Sequence, residues 1–295
     1  MPLRLALCGL LATALLPAHA AADKLLLTGG VTSIDGAAGG GLTPWAVIGT
    51  NATEGEVGGS VTVTGARTDT YALAVYAAAV AWNDRVELSA ARQDFDTGAT
   101  GTALGLPGLH LRQDVVGAKV RVFGNAILDS DTWAPQVAVG VEWKQLDAGG
   151  LAPTLASLGA DRRGTDFYVS ATKLFLAQGL LVNGTLRLTR AHQNGLLGFG
   201  GAAHDGYALQ PEFSFAWLAS RRLALGVEYR FKPDNLNPSE LGDGLKEDDW
   251  ADLFVAWAPC RNASITAAWV DLGRIVPAIE AKRQTGGYLS AQFAF

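Results

Sequence analysis

The sequence predicts an all-β fold: a transmembrane antiparallel up-and-down β-barrel of about 12 strands, with a Gly-rich N-terminal segment placed in its lumen. Three observations predict it. Segments of about ten residues alternate apolar and polar side chains, the length and period of a tilted membrane-crossing strand. The connections between them alternate short and long. Aromatic residues gather near the ends of the apolar faces, as interfacial girdles do. The clearest unit is residues 207–232, YALQPEFSFAWLASRRLALGVEYRFK. Tyr207, Leu209, Pro211, Phe213, Phe215 and Trp217 share one face; Gln210, Glu212 and Ser214 share the other. After Ser220-Arg221-Arg222 the pattern restarts, with Leu223, Leu225, Val227, Tyr229 and Phe231 opposite Glu228, Arg230 and Lys232. A three-residue turn there sets Glu212 opposite Arg230.

Residues 1–20 read as a cleaved secretory signal: Arg4, an apolar run from Leu5 to Leu16, and Ala18-His19-Ala20 as the cleavage site. The apolar run is too short to span a bilayer. The signal takes Cys8 with it, so Cys260 has no intramolecular disulfide partner. The chain carries 23 Lys+Arg against 28 Asp+Glu, a net charge of −5 that argues against a nucleic-acid partner. Hydrophobic residues make up 49%, yet no mature stretch reaches the 18 or so apolar residues of a membrane helix. Residues 21–55 are Gly-rich and weakly patterned, and read as a plug or as two short strands, which would bring the count to fourteen. No Lys-Ser/Thr follows their Gly cluster, so it is not a phosphate loop.

The barrel spans residues 56–295. Its strands are expected at 56–66, 69–82, 85–95, 109–123, 133–145, 164–178, 179–191, 206–219, 222–232, 249–258, 261–271 and 285–295. Short turns fall at Asn83-Asp84, Gln178-Gly179, Ser220-Arg221-Arg222 and Pro259-Cys260-Arg261, and the 124–132 connection on the same side is intermediate. Long loops fall at 96–108, 146–163, 192–205, 233–248 and 272–284. This parity puts the turns on the periplasmic side and the loops outside. Val137, Val139, Val141 and Trp143 exemplify the lipid face, as do Leu180, Val182, Leu186 and Leu188, and Ile265, Ala267 and Trp269. Trp82, Trp133, Trp217, Trp257, Phe293 and Phe295 form the girdle at the turn end; Trp143, Tyr229, Trp250 and Trp269 form the other. Lumen-lining positions are Lys119, Arg121, Glu142, Lys144, Arg187, Glu212, Glu228 and Arg230. Lys173 is the exception: its parity places it with Val169 and Phe175 on the lipid face, near the midplane. The inner faces also carry many small residues, among them Ala138, Gly140, Ala224 and Gly226, which leave space for water or the plug.

The final strand, GYLSAQFAF, ends on Phe295 with Phe293, Ala291 and Leu289 on its face, and looks like the C-terminal signal read by the barrel-assembly machinery. The mature chain also resembles a Gram-negative outer-membrane β-barrel family defined only as a domain of unknown function. The resemblance rests on KLLLTGG at 24–30, GGGLTPWAVI at 39–48, DRVELSAARQ at 84–93, KPDNLNP at 232–238, LKEDDWADLFVAW at 245–257 and VDLGRIV at 270–276. It implies residence in the outer membrane, among its lipids, after secretion across the inner membrane. It brings no catalytic or cargo-binding residue.

Other constellations carry less. His192 and His204 bracket one outer loop, with Asp205 adjacent, but no nucleophile or orienting partner is fixed by any motif, so they read as solvated loop histidines and no enzyme activity is expected. Their spacing, and that of His110, matches no zinc pattern; neither metal nor cofactor is expected. The loop 232–250 sets Asp234, Glu240, Asp243, Glu247, Asp248 and Asp249 against Lys232 and Lys246. Such clustered carboxylates can bind calcium, but the spacing is not that of an EF-hand, and the loop reads rather as a solvated acidic loop, or one folded into the mouth of the barrel. The functional expectation is a narrow or gated channel for a small solute. A surface or structural barrel is the alternative, and an outer-membrane enzyme the third reading.

Overall fold

The computed structural model describes residues 24–126, 133–239 and 242–295. The secretory signal read at residues 1–20 lies outside them, as do Glu240 and most of the 124–132 connection. Two short strands, β1 (Val31–Thr32) and β2 (Ala38–Gly39), form a hairpin of their own. The strands β3 (Val57–Thr68), β4 (Ala72–Trp82), β5 (Val86–Asp96), β6 (His110–Phe123), β7 (Gln136–Asp147) and β8 (Arg163–Phe175) lead into the barrel. It continues through β9 (Leu180–Thr189), β10 (Ala208–Ser220), β11 (Leu223–Arg230), β12 (Trp250–Cys260), β13 (Ala263–Asp271) and β14 (Thr285–Ala294). These twelve close on themselves, with β14 antiparallel to β3. Closure leaves no edge strand with unpaired backbone groups, the condition a sheet must meet to cross a bilayer. The two early strands do not join the wall, so the count is twelve rather than fourteen. No described helix is long and apolar enough to cross a membrane.

The register follows the sequence pattern. Glu212 pairs with Arg230 as the turn length requires, although a bulge between Leu218 and Ser220 tightens the turn itself. Gly140 lies opposite Tyr168, and Gly226 opposite Phe254. A Cβ on Gly140 would sit 2.1 Å from the Tyr168 ring, and one on Gly226 2.3 Å from that of Phe254. Part of the space the small inner residues leave is therefore taken by cross-strand aromatics, and not by water or plug. Between β8 and β9 the turn covers residues 176–179, longer than the two residues expected. On the long-loop side, the β3–β4 connection is the exception to the alternation, at residues 69–71.

The outer face is an apolar belt, with Val63, Tyr76, Val80, Leu88, Val116, Val139, Phe213, Leu253 and Leu289 all exposed. Trp82, Trp133, Trp217, Trp257, Phe293 and Phe295 are exposed, as are Trp143, Tyr229 and Trp269. Trp250 is the correction to the girdle. It is buried and faces inward, with the Lys232 ammonium 3.8 Å from its ring centre. Lys173 does lie on the outer side, paired with Val182, but two residues before the end of β8 and largely covered. At that depth a lysine costs about 0–1 kcal/mol, not the 2–4 of a midplane position.

At the long-loop end the loops fold inward and pack on one another. Tyr71, Leu111, Leu151, Leu155, Leu196, Leu197, Leu236, Leu245 and Ile275 form one apolar cluster there, roofing the lumen. Two short helices, α1 (Gly98–Ala103) and α2 (Ala152–Ser157), belong to these loops. The acidic loop 232–250 is part of this roof and not a solvated rim, because Leu236 and Leu245 anchor it in the cluster.

Candidate functional site

The lumen is occupied. Residues 31–50 are buried throughout, inside the barrel, and form a plug. Short side chains and glycines let it lie against the wall. A Cβ on Gly40 would sit 2.0 Å from the Glu228 carboxylate, so only glycine admits that contact.

The wall from β5 to β11 holds the plug by charge. Lys119 sits 3.1 Å from Glu87 and donates to the Ala38 carbonyl at 2.9 Å. Glu87 in turn accepts from the backbone amides of Ala38 and Gly49 at 2.9 and 2.6 Å. Further round, Arg187 reaches Glu142 at 2.7 Å and Glu212 at 2.6 Å, with the Tyr168 ring beneath it. Lys144 lies 3.0 Å from Asp166 and 3.2 Å from Asp35 of the plug. Arg230 bridges Asp35 at 3.2 Å and Glu212 at 3.3 Å. The loop after β9 completes the network: Asn194 donates to Asp35 and accepts from both Lys144 and Arg230. Farther down, the Pro44 carbonyl accepts from Ser170 and Thr185, and Thr172 accepts from the Ala46 amide. Buried charges at such distances hold only as a set, since removing one partner strands another in a low dielectric.

The structure thus brings together Lys119, Glu142, Lys144, Arg187, Glu212, Glu228 and Arg230. Arg121 is the exception. It lies at the turn end, part-exposed, 2.8 Å from Asp84, and lines the mouth rather than the interior. Sequence reasoning missed Glu87, Asp166 and Asp252, although each falls at an inward position of its strand. It also missed Asp35 and Asn194, for which strand periodicity gives no signal because neither lies in a strand.

Beyond β12, whose inner face carries Trp250 and Asp252, the wall of β13, β14, β3 and β4 differs. Its inner face carries no charged residue; Thr266, Ser290, Thr62 and Thr64 form a hydroxyl row. It hydrogen-bonds the plug through Thr32, which donates to Gln292 at 3.0 Å and accepts from Thr62 at 2.8 Å, and packs Val75 and Ala77 of β4 in one apolar cluster with Ile34 and Leu42 of the plug. Cavities lie beyond both ends of that row. One of about 50 Å³ sits under the roof, lined by Leu42, Leu73, Phe95, Trp250, Leu272 and Tyr288 among others. The other, about 40 Å³, is at the turn end and more polar, lined by Lys24, Asn51, Arg261, Asn262 and Gln292.

His192 and His204 part company. His204 is exposed, but His192 is fully buried beneath the roof, its Nδ1 3.0 Å from a Glu247 oxygen. Glu247 also meets the Lys232 ammonium at 2.5 Å. Burial pushes His192 down to about 3, Glu247 up to about 7 and Lys232 down to about 8. Two more of the acidic loop's carboxylates are engaged: Asp248 by Arg274 at 2.8 Å, and Asp249 by the Tyr229 hydroxyl at 2.8 Å. Among the described residues no three His, Cys, Asp or Glu side chains converge as a metal site. His110 pairs with Asp94 on the outside.

Residues 28–292 match the model of a family described as a protein of unknown function, DUF3034. The chain belongs to that family. No curated protein sequence matches it. Among solved structures it is similar to the KdgM porin, at 10% identity and TM-score 0.50 over 80% of this chain and 99% of that one. It is also similar to the NanC porin, at 7% identity and TM-score 0.52 over 79% and 98%. A third is the COG4313 outer membrane channel from Pseudomonas putida F1, at 10% identity and TM-score 0.50 over 83% and 97%. At these identities the likeness is one of fold.

Proposed function

We propose that this protein is an outer-membrane channel for a small solute, shut in the present conformation by its own N-terminal segment. The observation that carries the reading is the asymmetry of the lumen. The plug is clamped by ion pairs along β5–β11. It meets the opposite wall without an ion pair, through the Thr32 hydroxyl contacts and apolar packing of Ile34 and Leu42 with Val75 and Ala77, with a cavity beyond each end of that seam. Small movement of the plug's Thr32 edge would join the two cavities, whereas movement at the other edge would strand several buried charges. Barrels of this fold include proteins named as porins and as a channel, which supports the reading without specifying a solute.

In the same reading the apolar belt contacts outer-membrane lipid, the long loops face outward, and the strand ending in Phe295 engages the assembly machinery. The alternative is a sealed structural barrel, favoured by the completeness of the buried ion network. Planar-bilayer recording separates the two. The full mature chain is expected to give small, discrete conductance steps, and a chain lacking residues 24–50 larger ones. Silence from both forms would leave the structural barrel as the account.

A further inference from the structure

Three parts of the molecule meet under the roof and leave a gap between them. The plug contributes Ile34 and Leu42, the wall Leu73 and Phe95, and the roof loops Leu196 and Ile275. The gap is the cavity of about 50 Å³ at the roof end of the uncharged seam. Polar residues border it too, but none turns a polar atom into it. Thr68 donates its hydroxyl to Gln284 at 3.0 Å, and the Tyr71 hydroxyl shares a hydrogen bond with Thr100 at 2.6 Å. Gln193 donates to the Ile275 carbonyl at 3.2 Å and accepts from Lys232 at 2.6 Å. A water held in the cavity would find none of the roughly two to four polar partners it needs. An ion, a sugar or an alcohol would leave its own polar groups without partners there.

From this meeting of apolar surfaces we infer that the cavity is a binding site for a small uncharged apolar molecule, a hydrocarbon or halocarbon of about three heavy atoms. Transfer out of water drives such a molecule in, and dispersion contacts with the side chains around it hold it there. Tyr71 and Phe95, stacked with ring centres 5.3 Å apart, make one side of the cavity aromatic. A hydroxyl or ammonium on the ligand would give up its water partners and gain none, so the cavity selects by polarity as well as by size. Because Ile34 and Leu42 belong to the plug, an occupant lies against the segment that closes the lumen, on its uncharged side. The inference rests on the channel reading for its biological sense, since it names the class of solute presented to the seam from the roof side.

The test is methyl NMR of the full mature chain in lipid nanodiscs, with propane, ethanol and ethylammonium as probes that differ in one terminal group. Propane is expected to shift the Leu42, Leu73 and Leu196 methyl signals saturably. Ethanol should bind at least tenfold more weakly at equal aqueous concentration, and ethylammonium should not bind. Ala66→Leu, which puts a larger side chain into the cavity lining, should abolish the propane shifts. Leu73→Ala enlarges the cavity instead, and should admit benzene where the unaltered protein excludes it, since apolar cavities of about 150 Å³ bind benzene. If Ala66→Leu does not assemble, Leu73→Ala carries the test, because it alters the ligand accepted rather than removing the site. Absence of saturable propane shifts, ethanol binding as tight as propane, or no benzene binding to Leu73→Ala would overturn the proposal. Propane binding without conductance sinks the channel reading alone; conductance without propane binding sinks this one alone.

Discussion

The two walls of the lumen are built from one repeating strand pattern and hold the plug in opposite ways. From β5 to β11 the inward positions carry Glu87, Lys119, Glu142, Lys144, Asp166, Arg187, Glu212 and Arg230, and these charges grip the plug at Asp35 and along its backbone. From β13 round to β4 the inward positions carry no charge, and the plug meets them through the Thr32 hydroxyl and through apolar packing of Ile34 and Leu42 on Val75 and Ala77. A buried charge network resists any shift, because each partner needs the others. Neutral hydroxyl contacts each contribute only about 0.5–1.5 kcal/mol and can be exchanged for water. The difference teaches that a plug need not be uniformly tight: one edge serves as the anchor and the other as the seam.

Substitutions that treat the walls differently sharpen this contrast. Arg187→Ala should cost about 3–5 kcal/mol in denaturant unfolding of the folded barrel, since it abandons Glu142 and Glu212 in the interior. Gly40→Ala should cost about 1–3 kcal/mol, as the new methyl meets Glu228 and displaces the plug. Thr62→Val, on the seam, should cost only about 1 kcal/mol by the same measurement. An equal cost for Arg187→Ala and Thr62→Val would erase the distinction between the walls.

The smallest effect expected is one of pH, at the roof. His192 is buried with its pKa at about 3, so a released loop binds a proton below 6.5 that the packed loop refuses. Packing is therefore lost as pH falls from 6.5 towards 3. Glu247, raised to about 7, works the other way: the packed carboxyl binds a proton between 7 and 4.5 that the released one does not. The two oppose each other down to about 4.5, and the net loss falls between there and 3. Limited proteolysis of the 190–201 loop should accelerate in that window, and less steeply in His192→Gln.

How much of this was legible depends on where each residue lies. Strand residues announce themselves: period two placed Arg187 and Glu212 inside and Leu186 and Phe213 outside, and turn length alone paired Glu212 with Arg230. Trp250 misled, because an aromatic at a strand end looks the same in a girdle or under a roof. His192 and Glu247 misled for a related reason. A polar loop reads as solvated unless its apolar residues, here Leu196, Leu197, Leu236 and Leu245, are seen to anchor it. Asp35 and Asn194 were beyond reach, since their partners lie 109 and 50 residues away on β7 and no local pattern joins them.

The central claim is that the plug is anchored on the charged wall and opens along the hydroxyl wall. Two engineered disulfides test it directly in a Cys260→Ser background. Thr32→Cys with Thr62→Cys bridges the seam, where the two hydroxyls lie 2.8 Å apart. Thr43→Cys with Ser214→Cys bridges the plug to β10, where the two hydroxyls are in contact. In planar-bilayer recording the seam bridge is predicted to abolish conductance until reductant is added, while the β10 bridge leaves it unchanged. Conductance that survives the seam bridge and is lost with the β10 bridge would contradict the account.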